Sequence, residues 1–523
     1  MRRQRSDAEP GRMGAIVEGA VAIPRQPRRK QEHPGDLAAG IRRRRAVREE
    51  QLAGQRHVAG AKADRLRIGH ATRVHSASHA RRAFRMPVTS AASGAGGSRF
   101  FPAPERVGFQ PDPGADLPRS AEVIVVGAGF VGAWAAYHLA SAGMRPLVIE
   151  ANAPASGASG RLCGLALAGI GGHFARVNAL ARASAGRSIA DYTCRSLDLL
   201  EAIDAQLPDG IEWERSGSLD LLTDERQAAD GRTLADLQRA EGLRVEILAP
   251  DDLRDMAPAL DLDQVRGAKW SPGDGQLNPF KLVYGLLEAA HRLGARTVRG
   301  VRVESVVGRS GRVWGVETSH GAVQAGAVLL ATNAWTPSLV PSIAANLTPI
   351  REHVMVTERL PRVLTQGFET NHCNEYWRQE PTGELLIGGH AASDEGMGIG
   401  TYSMVTRREI VPQLARLLGR FHPALRDARV LRVWAGLLDF ASLEIPMAGA
   451  IPASDGTPLP GGYLVCGLTG HGLPYSSILA LLVSELIATG SSRTLPLDPF
   501  DPRRYVGSAH EPTWLSPFEG GLG

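Results

Sequence analysis

The chain runs to 523 residues with 43% apolar side chains, enough for two or three domains and a full-sized core, which excludes a protein disordered or fibrous along its whole length. Its formal charge of +5 is unevenly spread: residues 1–85 hold 21 Lys or Arg against 8 Asp or Glu, and the rest holds 38 against 46. The body is therefore acidic, which argues against nucleic acid as its partner, because phosphate binding needs basic side chains clustered on the folded surface.

Residues 1–85 mix arginine runs such as Arg42, Arg43, Arg44 and Arg45 with Gly, Ala and His and show no apolar periodicity. Such a segment buries too little apolar surface to offset its ordering entropy. It reads as a basic tail, a targeting peptide, or sequence upstream of a true start at Met86, the last being preferred. Residues 87–117 are rich in Gly, Pro and Ser and read as a linker, so a disordered basic extension is expected over 1–117.

Val123-Ile124-Val125-Val126 is an apolar, β-branched run suited to a strand covered on both faces. It leads into Gly127-Ala128-Gly129-Phe130-Val131-Gly132, a helix over 133–142, a strand over 147–149 and then Glu150. In this pattern the first glycine permits the tight turn, the second lets the backbone approach a pyrophosphate, and the third lets helix and strand pack closely. The helix N-terminus offers unpaired N–H groups and about half a positive charge, and Glu150 is placed to accept ribose hydroxyls. A nicotinamide enzyme would continue with an ordinary βαβ repeat. Here the small-residue loop Ser156-Gly157-Ala158-Ser159-Gly160-Arg161 follows, either a flexible connection or a bed for an extended ligand. Near the other end, a strand over 462–467 runs into Gly467-Leu468-Thr469-Gly470-His471-Gly472 and a helix over 475–488, a second glycine turn that delivers a helix N-terminus. Residues 478–487 read as a buried helix, and no run reaches the roughly 18 uninterrupted apolar residues of a membrane span. Cys163, Cys194, Cys373 and Cys466 are scattered without a CxxC pair, so no metal site or disulfide framework is expected, and reduced thiols of a cytoplasmic enzyme are.

With GAGFVG and Glu150, GASGR, Gly273-Asp274-Gly275-Gln276-Leu277-Asn278-Pro279, Ala331-Thr332-Asn333-Ala334-Trp335, Trp434-Ala435-Gly436 and GLTGHG in this order, the chain resembles the D-amino-acid oxidase, glycine oxidase and sarcosine oxidase superfamily from about 118 to 505. The resemblance implies an α/β protein: a discontinuous Rossmann-type FAD-binding domain (118–175, 276–340 and 428–510) with an inserted antiparallel-sheet substrate domain (176–275 and 341–427). It implies FAD contacts at Gly127 to Gly132, Glu150, Ser159, Gly160, Arg161, Thr332, Gly470, His471 and Gly472, and at the backbone of Val303. It also implies oxidation of the C–N bond of an amine or amino acid to an imine by hydride transfer to flavin N5, with oxygen or another electron acceptor as the second substrate.

On the substrate side, strands are expected over 353–356 and 385–389. Tyr376 either orients the amine or packs the sheet. His390 either meets substrate and accepts a proton or caps a turn, and His471 either holds its glycine turn or lies near the flavin ring. Two departures from the resembled family stand out. The lysine credited with assisting oxygen reduction falls at Leu386, and the carboxylate-binding arginine after WAGL is replaced by Leu438. The residues used elsewhere for covalent attachment fall at Leu437 and Arg161, so noncovalent FAD is expected. The reading from a different class is a flavin-binding subunit of a multi-subunit dehydrogenase without independent turnover.

Overall fold

The computed structural model describes residues 109–512 apart from Ser310, residues 371–374, His390 and Ser508. The expected basic extension, the start at Met86 and the linker up to residue 108 lie outside the described residues, as do Cys373 and His390.

The protein is a mixed α/β structure, as expected, organised around two sheets. The first is nine-stranded among the described residues. Its centre is parallel: Ser120–Val126 lies between Pro146–Glu150 and Gly321–Leu330, flanked by Arg296–Arg299 on one side and Pro458–Cys466 on the other. Val123, Ile124 and Val125 have no exposed surface, which is what a strand covered on both faces requires. Asp112–Pro113 pairs in parallel with Arg296–Arg299, and Phe109 is buried against His291. The last residues of the stretch read as linker thus join the sheet edge.

Three helices cluster on this sheet, with Phe130–Ser141 packed against both Pro279–Arg292 and Gly472–Thr489. Gly472–Thr489 is long and apolar enough to cross a bilayer by length and composition. Here it lies between Phe130–Ser141 and Ile189–Gln206, with Leu479, Leu482 and Val483 fully buried, the covered helix expected for 478–487.

The second sheet runs, in spatial order, Val430–Ala441, Leu347–Thr357, Leu385–Gly389, Glu375–Gln379, Gly367–Thr370, Ser218–Leu222, Gly267–Ser271 and Glu246–Leu248. All its pairings are antiparallel except that of Gly367–Thr370 with Ser218–Leu222. Val430–Ala441 belongs to this sheet although it falls in the stretch 428–510 that the sequence grouped with the cofactor side. The alternation along Glu375–Gln379 decides what faces the cleft. Trp377 goes to the far side, stacks on Phe368 and Phe421 and donates its indole N–H to His422 Nε2 (2.9 Å). Tyr376 therefore points the other way. A Cβ on Gly388, its cross-strand partner, would sit 2.4 Å from the Tyr376 ring, so the glycine leaves room for that ring across the sheet.

Candidate functional site

A cleft of about 740 Å³ joins the two sheets, and the first glycine turn forms one wall. Gly127 has φ +99°, which favours glycine, and a Cβ on Gly132 would fall 1.8 Å from the Gly127 carbonyl oxygen. The helix Phe130–Ser141 therefore starts tight against the turn with its N-terminus at the cleft. Its first N–H groups have no intrahelical acceptor. One of them, on Phe130, donates to Ser159 Oγ (2.9 Å), which ties the second small-residue loop to the first.

Glu150 accepts the Ala128 N–H on Oε2 and the Asn152 N–H on Oε1, both at 2.8 Å. Burial raises its carboxyl above the usual range, and these backbone donors oppose the shift. The Val301 N–H donates to the Glu150 carbonyl (3.0 Å), which brings Val301, Arg302 and Val303 to the same end of the cleft.

The second glycine turn forms the opposite wall. Asp439 accepts the N–H groups of Gly467 (2.6 Å) and Leu468 (3.2 Å). Thr469 and Gly470 take positive φ, and the helix Gly472–Thr489 then begins with no side-chain cap. His471 Nδ1 lies 2.8 Å from the Thr469 carbonyl oxygen, so it is the donor. Burial, then the neighbouring His173, depresses His471 to about 3. The ring is neutral at physiological pH and helps hold the turn. His173 meets it edge-on at 5.0 Å and bonds through Nδ1 to Glu444 Oε2 (2.7 Å), which also pairs with Arg176.

These residues fit a dinucleotide: two helix starts whose own N-cap residues supply no side-chain cap, glycine surfaces that a Cβ would fill, and a carboxylate beside the first turn. Thr332 lines the cleft, with Oγ1 2.9 Å from Thr336 Oγ1. Gly160 and Arg161 do not line it. A Cβ on Gly160 would fall 2.1 Å from the Ala155 carbonyl, so this glycine serves chain packing. The Arg161 guanidinium donates to the carbonyls of Ser156 and Ala435 (both 2.9 Å), and the Trp434 indole donates to the Arg161 carbonyl (2.9 Å). Arg161 braces the loop against the second sheet. Leu386 and Leu437 are buried side chains outside the cleft lining.

Tyr376 lines the cleft and donates its hydroxyl to Glu352 Oε2 (2.5 Å). Burial pushes the Glu352 carboxyl up to about 7, and the tyrosine hydrogen bond opposes that rise. Glu369, the cross-strand neighbour of Tyr376, lines the cleft as well. The sequence reading passed over Glu352, Glu369 and His173. The available signal was an acid inside an apolar strand, as in Gly367–Thr370 and Leu347–Thr357.

If Glu150 accepts ribose hydroxyls, Glu150→Gln should weaken FAD binding about tenfold, because a charge-assisted bond contributes about 1.5–3 kcal/mol and the new amide N–H₂ faces a backbone donor. Fluorescence titration of apoprotein with FAD measures this, and unchanged affinity would relocate the ribose contact.

The model of the family described as FAD dependent oxidoreductase (DAO) matches residues 122–486. The chain is 27% identical over 420 residues to the hydrogen cyanide synthase subunit HcnC of Pseudomonas aeruginosa, covering 73% of this chain and 94% of that protein. It is 26% identical over 398 residues to glycine oxidase of Geobacillus kaustophilus, covering 74% and 97%. The crystal structure of L-proline dehydrogenase from P. horikoshii superposes with a TM-score of 0.65 at 25% identity, over 74% of this chain and 98% of that one. With a single family spanning both glycine turns and the second sheet between them, the chain belongs to the FAD dependent oxidoreductases and is an oxidoreductase whose cofactor is FAD.

Proposed function

We propose that the protein oxidises the carbon–nitrogen bond of an amine or amino acid to an imine, which water then hydrolyses. Bound FAD supplies the hydride acceptor, at N5, for the carbon next to the substrate nitrogen. The observation that carries this reading is the Tyr376–Glu352 pair, which lies in the same cleft as both glycine turns. Tyr376 holds Glu352 Oε2 and leaves Oε1 for the substrate nitrogen. A carboxyl with a pKa of about 7 changes state near working pH. It takes a proton from an arriving ammonium and leaves the amine lone pair free to assist loss of the hydride. The surrounding Leu162, Leu438 and Phe440 line the cleft with apolar surface and limit water there.

Anaerobic addition of primary amines, secondary amines and amino acids tests the reading, since a substrate should bleach the yellow cofactor. Among the described residues no Lys or Arg lines the cleft beside Tyr376. A nearby positive charge favours electron transfer to oxygen. Reoxidation by air-saturated buffer should therefore be slower than by an artificial acceptor in stopped-flow mixing. Failure of every amine to bleach the colour would sink the first statement, and rapid reoxidation by oxygen the second.

A second reading is a flavin-binding subunit of a multi-subunit dehydrogenase, favoured by the likeness to a protein named as a subunit of hydrogen cyanide synthase. Steady turnover by the isolated chain would count against it.

A further inference from the structure

The substrate end of the cleft is acidic, and its register explains how. Lys269, Asp220, Glu369 and Tyr376 stand directly opposite one another across four neighbouring strands, so their side chains share one face of the second sheet. Glu352 shares that face, because its neighbour but one, Val354, pairs with Gly388, and Gly388 pairs with Tyr376. Glu352, Glu369 and Glu375 line the cleft, and Glu375 is engaged by the Thr370 hydroxyl (3.0 Å).

Glu369 differs from the others. It is 8% exposed, its open side is the cleft, and its carboxylate has no hydrogen bond or ion pair among the described residues. Lys269 stands two strands away, beyond Asp220, and its ammonium donates to Ser271 Oγ (3.3 Å). The lysine charge is set against Asp220 and Asp274 as well as Glu369, so three carboxyl groups surround one lysine. A buried carboxylate without a partner is expensive, and burial, with Asp220 beside it, raises the Glu369 carboxyl above the usual carboxylate range. A cation in the cleft would relieve that cost.

Among the described residues, Lys and Arg side chains are missing from the cleft lining at this end. The arginine that lines the cleft among the described residues is Arg302, which sits with Val301 and Val303 beside Glu150, at the far end. The buried Arg378 is spent on the carbonyls of Cys163 and Leu277 and on Glu380. Among the described residues, a substrate carboxylate next to Tyr376 would face carboxylates and no lysine or arginine.

We propose that this cleft takes an amine with a second cationic centre and no carboxylate: the reacting nitrogen at Tyr376 and Glu352, the second ammonium on Glu369. The proposal rests on the amine-oxidation reading and narrows its substrate class. Glu369 and Tyr376 are one strand spacing apart, about 5 Å, so a short aliphatic spacer lying across the tyrosine ring joins the two positions. The ring adds a cation–π surface between them.

Three probes of similar length differ only at the far end: N-methyl-1,4-diaminobutane, N-methylbutylamine and 4-(methylamino)butanoate. Holoenzyme is mixed with each anaerobically, and the dissociation constant is taken from saturation of flavin bleaching, separately from the limiting rate. A charge-assisted contact of about 1.5–3 kcal/mol corresponds to tenfold or more. The diamine should therefore bind at least tenfold tighter than the monoamine, and the carboxylate weakest. Glu369→Gln should bring the diamine-to-monoamine ratio of dissociation constants to about one. A purely structural defect would instead lower the flavin content of purified Glu369→Gln, and Glu369→Asp, which keeps the charge, should recover part of the preference. Tightest binding by 4-(methylamino)butanoate, or a diamine preference that survives Glu369→Gln, overturns the proposal while leaving amine oxidation standing. Bleaching by none of the three and by no other amine overturns both.

Discussion

Gly132→Ala should yield protein with little or no bound FAD, with affinity down by about a hundredfold or more. The added Cβ would lie 1.8 Å from the Gly127 carbonyl oxygen and 2.9 Å from its carbon, both backbone atoms. No rotamer change can relieve that overlap, so the helix Phe130–Ser141 must move off the strand Ser120–Val126. Overpacking of this kind costs about 1–3 kcal/mol or more, and every 1.4 kcal/mol is tenfold in affinity. The displaced atoms are those that would cradle the pyrophosphate, so the cost falls on binding. Gly308→Ala is the control: its nearest contact would be the Arg312 carbonyl at 3.6 Å, an ordinary distance. The flavin-to-protein absorbance ratio reads the outcome, with far-ultraviolet circular dichroism to separate loss of cofactor from loss of fold. Full flavin content in Gly132→Ala would show that the turn is not the phosphate cradle.

Glu352→Gln should slow amine-dependent flavin reduction by about a hundredfold, the lower range for loss of a positioned proton acceptor. It should also change the pH profile. The Glu352 carboxyl is raised from 4.5 to about 7, chiefly by burial. Below that value it is protonated and cannot accept the ammonium proton; above it, it can. Reduction by wild type should therefore rise with pH through about 7 and level off, and Glu352→Gln should lack that limb. Tyr376→Phe gives an independent sign. The tyrosine hydrogen bond favours the charged carboxylate, so removing it raises the carboxyl further and moves the limb to higher pH. A limb unmoved by either change would take the proton-accepting role away from Glu352.

The two glycine turns were legible in the sequence because their chemistry is local. A positive φ at Gly127 or Gly470 and a close approach at Gly132 require glycine whatever the rest of the chain does. Glu150 was legible for the same reason, since it ends the strand that follows the first glycine helix. The substrate end was not. Glu352, Glu369 and Tyr376 meet because successive strands settle into one register, which no local pattern fixes, and a shift of one residue would send a strand's residues to the other face. Tyr376 and Trp377 are adjacent aromatics of similar bulk, and only the strand alternation gives one to the cleft and the other to the core. Arg161 shows the converse. Its place after GASG is right for a loop at the cleft, but its long side chain turns away to carbonyls at residues 156 and 435, an outcome no local pattern encodes.

The helix that completes the cleft, Gly472–Thr489, packs on Phe130–Ser141, which begins more than three hundred residues earlier. During synthesis, the GAGFVG unit is exposed long before the second turn, its supporting Asp439 and the strand Pro458–Cys466 have been made. The first βαβ segment must therefore wait as a partly covered intermediate with an open sheet edge, in the slow, high-contact-order regime where aggregation competes with folding. FAD has no complete seat until the second turn has been made, so its capture follows synthesis of the strand Pro458–Cys466 and the turn after it.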